Sequence, residues 1–64
     1  MIEFNAIVPR SDAESVRTLE GSNFRIIHGS RMNRTDAYYF LIDAEEEDLI
    51  MFTLKYGPEN VWKR

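Results

Sequence analysis

The residues best suited to chemistry lie in two places. Glu45-Glu46-Glu47-Asp48 is an unbroken acidic run, and Arg25, His28, Arg31 and Arg34 form a basic segment with no acid between Asn23 and Arg34. Carboxylates in series could hold a divalent cation or exchange protons. A calcium loop, however, alternates its carboxylates around a central glycine, and acid–base catalysis needs carboxylates held beside a cleft. The run has neither feature. It stands where a helix begins, where the helix dipole favours negative charge, so it reads as an acidic helix start. His28 is the only histidine and cysteine is absent, so no His/Cys ligand set is implied. Ser11, Ser15, Ser22 and Ser30 have no nucleophile context. Gly21 and Gly29 are isolated, which argues against a phosphate-cradling loop. No catalytic, cofactor-binding or metal site is predicted, and the chain reads as non-enzymatic.

The basic segment carries more information. Flexible cations around Met32 and Asn33 suit phosphates or an acidic protein surface, although a solvated loop is the plainer reading. The elements that must position them follow from the hydrophobic pattern. Ile2–Val8 begins with strand alternation and stops at Pro9. Ser11-Asp12-Ala13-Glu14 has the form of a capping box, with Ala13, Val16 and Leu19 as a narrow helical stripe and Gly21 as the stop. Phe24–His28 reads as a strand, Gly29–Asp36 as a hairpin loop, and Ala37–Ile42 as the most β-prone segment. Asp43 is expected to cap a second helix. Leu49, Ile50, Phe52, Thr53 and Tyr56 should form its inward face, and Gly57-Pro58 should end it. Val61 and Trp62 suggest a short last strand.

The order strand, helix, strand, strand, helix, short strand is the ferredoxin-like α+β order, in one domain spanning residues 1–64. The chain is 44% hydrophobic and 30% charged, as a globular protein is, and it has no disulfide to support its small core. It has no apolar run near the roughly 18 residues of a membrane span. The first residues do not read as a signal peptide, so a cytoplasmic location is expected. The Asn33-Arg34-Thr35 glycosylation pattern is then a chance match. The net charge of -3 argues against binding nucleic acid by bulk electrostatics.

With both helices on one face of such a sheet, Phe4, Ala6, Phe24, Ile26, Tyr38, Phe40 and Ile42 face inward. Glu3, Asn5, Ile7, Arg25, Ile27, Tyr39 and Leu41 face outward, and an apolar patch of that kind marks a partner surface. The expected partner-binding set is Ile7, Arg25, Ile27, Arg31, Arg34, Tyr39 and Leu41, and a homodimer through the same face is a second use of it. The element order is also similar to that of RNA-recognition domains, which stack bases on sheet aromatics. Here Asp36–Ile42 lacks their glycine pattern and only Tyr39 could stack. Nucleic-acid binding through the basic hairpin and Tyr39 is the alternative, and a structural role in a virion or complex is a third.

The segment Phe40-Leu-Ile-Asp-Ala-Glu-Glu-Glu-Asp-Leu-Ile-Met-Phe-Thr-Leu-Lys-Tyr-Gly57 resembles the end of many short uncharacterised bacteriophage proteins. In those, an acidic cap joins a strand to a Met-Phe-x-Leu-Lys/Arg-aromatic helix. The resemblance implies a viral origin and a binding role toward a host or phage protein, such as inhibition or modulation. It implies no catalytic residue.

Overall fold

The computed structural model describes residues 1–33 and 35–64. Strand β1 (Ile2–Pro9) leads through a 3-10 turn (Arg10–Asp12) into the short helix α1 (Ala13–Arg17). Strands β2 (Arg25–Arg31) and β3 (Ala37–Ala44), helix α2 (Glu46–Tyr56) and strand β4 (Val61–Lys63) complete the α+β domain. The sheet is antiparallel with strand order β2-β3-β1-β4. Strands β1 and β3 therefore sit at its centre.

One face of the sheet is sealed. Phe4, Ala6 and Val8 of β1 and Phe40, Ile42 and Ala44 of β3 are buried together with Val16 of α1 and Phe52 of α2. Phe52 is the plug. Its ring meets Phe4 edge-on at 5.6 Å, Phe24 at 6.0 Å and Tyr56 at 5.5 Å between centroids. Every sheet residue expected to face inward, Phe4, Ala6, Phe24, Ile26, Tyr38, Phe40 and Ile42, lies in this core or against it.

The helices differ from the sequence reading. Ser11 does not cap α1, because it lies inside the 3-10 turn, whereas a capping residue needs extended backbone. Asp12 precedes α1 with helical angles and no side-chain cap bond. The helix then unwinds through short i→i−3 bonds, Leu19 N–H to Val16 and Glu20 N–H to Arg17, so Leu19 stays exposed. Asp43 remains in β3, and Glu45 caps α2 instead, its N–H donating to the Asp48 carboxylate at 3.1 Å. The acidic run is thus a helix start displaced by two residues. Ile50 points outward, since it precedes Phe52 by two residues and so lies about 200° around the helix. Gly57, with φ 95°, closes α2 in a backbone conformation that favours glycine.

Strand β2 contains a bulge. Ile26 pairs with Ile42, but His28 rather than Ile27 pairs with Leu41. Without it, simple alternation would set His28 against the buried Phe40. With it, Gly29 occupies that place, where a Cβ atom would stand 2.9 Å from the Phe40 ring. The bulge also reverses the facing of all later β2 residues.

Two measurements check this packing. Phe52→Ala should cost about 3–5 kcal/mol in chemical denaturation, because the emptied site touches three rigid rings; a loss under about 1 kcal/mol would contradict the plug. The Tyr56 hydroxyl donates to Asp12 Oδ2 at 3.0 Å, tying α2 to the start of α1. Burial first, then that hydrogen bond and the Asp12 charge, push the Tyr56 phenol up to about 12. Its stabilising effect is complete below the unfolded value of about 10 and is lost as pH rises through the folded one. Between these limits the wild type should lose more stability than Tyr56→Phe, and parallel losses would contradict the tie.

Candidate functional site

The uncovered face of the sheet is ordered in rows. Cross-strand partners share a face, so one row reads His28, Leu41, Asn5, Trp62 across all four strands. The next row toward the hairpin loop is Ser30, Tyr39, Ile7. On the other side lies a charged row, Arg25, Asp43, Glu3 and Arg64, in which Arg64 is bonded to Glu3 through both backbone and side chain.

The charged row has a simple logic. Glu3 and Asp43 are direct cross-strand partners, and like charges so placed repel. Each is offset from its outer side, Asp43 by Arg25 at 3.7 Å and Glu3 by Arg64 at 2.8 Å. Both pairs are solvent-exposed on the arginine side, so each contributes at most about 1 kcal/mol. Their main effect is to fix a polar border along one end of the face.

The middle of the face is part apolar and part polar. Asn5 is only 8% exposed although no helix covers it. Its Nδ2 donates to the Trp62 carbonyl at 3.3 Å, and its Oδ1 accepts from the Tyr39 hydroxyl at 2.5 Å. Tyr39 thus lies across the face, held by its own tip, with the His28 ring 6.1 Å away. Ile7, Leu41 and Tyr39 are half-buried, whereas Trp62 is 44% exposed. The chain covers part of its second face with its own aromatics and leaves the indole open.

The expected site residues are only partly gathered here. Ile7, Tyr39 and Leu41 share the face, and Arg25 stands on its border. Ile27 is the bulge residue, exposed and set with His28 against Leu41. Arg31 is a correction to the expected set: beyond the bulge it pairs with Tyr38, so it lies on the helix side of the sheet. Arg34 lies outside the described residues. The basic segment is also less isolated than its sequence implies, because Arg25 meets Asp43 at 3.7 Å. Trp62, His28 and Asn5 were missed as a group. Trp62 was legible in principle, since a strand that turns Val61 inward must turn its neighbour outward.

Among the described residues, no three histidine, aspartate or glutamate side chains come together to hold a metal ion. No helix described is long and apolar enough to cross a membrane. In comparisons with known proteins, the chain matches no family model, no curated protein and no solved structure.

The Asn5 clasp can be measured. Tyr39→Phe leaves Asn5 Oδ1 buried without its partner and should cost about 1–3 kcal/mol. The Asn5→Leu, Tyr39→Phe double variant should recover much of this, because removing both polar partners avoids the orphaned group. A double variant no more stable than Tyr39→Phe alone would contradict the clasp.

Proposed function

We propose that this is a non-enzymatic protein-binding domain with the ferredoxin-like arrangement, and that the open sheet face seats its partner. The element order and the central position of β1 and β3 support that arrangement. The observation that carries the functional reading is Trp62, exposed at 44% next to Asn5 of the Tyr39–Asn5 clasp and in the same cross-strand row as Leu41. A tryptophan held on a flat strand offers a large rigid contact at little entropic cost, and such residues dominate binding energy at interfaces. The face has the anatomy of an interface, with an apolar centre and a polar border of ion pairs.

The mechanism is steric occupation of a partner surface, with Trp62, Leu41, Ile7 and Ile27 buried and Arg25 at the rim. The likeness of Phe40–Gly57 to short bacteriophage proteins supports a viral modulator or inhibitor acting in a host cytoplasm. Nucleic-acid binding fits this face less well. Tyr39 spends its hydroxyl on Asn5, and Arg25 and Arg64 are each opposed by a carboxylate, so few cations are left for phosphates.

The immobilised chain should retain a specific protein from bacterial lysate, identified by mass. Trp62→Ser should reduce that retention at least about ten-fold, equivalent to about 1.4 kcal/mol, with the domain still folded. Glu46→Gln, on α2, should leave retention unchanged. Equal retention by wild type and Trp62→Ser would overturn the reading, and retention of nucleic acid that disappears with salt would favour the alternative.

A further inference from the structure

Helix α2 carries a second apolar stripe, which faces away from the sheet. Ile50, Met51 and Leu54 are 53%, 47% and 83% exposed. With Glu47 they occupy positions i, i+3, i+4 and i+7, which is one helix face. The core does not use them, since Leu49, Phe52 and Tyr56 already supply the inward face. Beside the stripe, a shallow cavity of about 210 Å³ opens between α1 and α2, with Leu19 and Met51 at its margin. Single exposed leucines are ordinary, but three large apolar side chains within two turns make a seam.

The charges around the seam indicate what covers it. The first turn of α2 is acidic, with Glu46, Glu47 and Asp48, and its last turn carries Lys55. Met51 stands midway between Glu47 and Lys55, four residues or about 6 Å of helix rise from each. A two-fold axis at Met51 sets Glu47 of one copy level with Lys55 of the other, and does so twice. The apolar residues meet between those contacts, and the helix dipoles run in opposite directions. The helix is therefore complementary to its own antiparallel copy.

We propose that the chain forms a two-fold dimer through the outer stripe of α2. The contact is isologous, so it closes at two copies. A single helix face lies at the small end of interface sizes, and each copy carries a net charge of -3; the association is correspondingly weak and concentration-dependent. Such a dimer turns its two open sheet faces outward, but it does not depend on those faces binding anything.

Sedimentation equilibrium of the full chain, from micromolar to millimolar concentration, tests this without any partner. The wild type should rise from monomer to dimer mass. Leu54→Glu should weaken association at least about ten-fold, with its circular dichroism unchanged. Glu47→Lys and Lys55→Glu should each be monomeric alone, since each makes both end contacts like-charged. Mixed in equal amounts, they should restore the dimer, because opposite charges then meet at both ends. Trp62→Ser should leave the dimer intact. A wild type that stays monomeric, a dimer that survives Leu54→Glu or disappears in Trp62→Ser, or a mixture that fails to associate would overturn the proposal.

Discussion

The fold depends on the insertion of one ring. Phe52 enters between Phe4 of the central strand β1 and Phe24 at the approach to β2, and its ring meets that of Tyr56 in its own helix at a tilt. This contact joins α2 to the sheet and to the segment that connects α1 to β2. The Tyr56–Asp12 hydrogen bond extends the tie to the 3-10 turn. Because α1 is only five residues long, it supplies little cover of its own. The Arg17 guanidinium completes the cover, lying 5.3 Å over the Tyr38 ring and 5.8 Å over Phe40. With two short helices and no disulfide, the chain can seal one face of its sheet and no more.

The second face is held by different physics. Aromatic and amide groups there satisfy one another in the plane of the sheet, and the Arg25–Asp43 and Glu3–Arg64 pairs neutralise a repulsion built into the central strands. The result is a face whose polar groups are paired although it is not covered. A partly apolar surface whose polar side chains are already paired has fewer of them to order on binding, which links the architecture to the binding role proposed for it.

Local pattern made much of the architecture legible. The alternation of Tyr38, Phe40 and Ile42 identified the inward face of β3, Gly57-Pro58 marked the end of α2, and Phe52 was evident as a core residue. What the sequence hid was decided by contacts between distant residues. Arg10 N–H bonds to the Asp36 carbonyl, a contact across the fold that accompanies the 3-10 turn where a capping box had been expected. The bulge at Ile27 brings Gly29 to the place opposite Phe40, where the ring leaves no room for a Cβ atom. That one-residue shift moved His28 onto the open face and Arg31 off it. Trp62 joined the site through the register of a three-residue strand, which local propensity does not encode.

The central claim is that a partner protein covers Trp62, and Trp62 is the chain's single tryptophan. Fluorine NMR of the chain labelled with fluorotryptophan therefore reports on this position alone, even in a complex with a tryptophan-containing protein. On addition of the retained partner, the account predicts that the single resonance shifts and loses its sensitivity to solvent isotope as water leaves the indole. A resonance that keeps its position and solvent sensitivity while the complex is formed would contradict it.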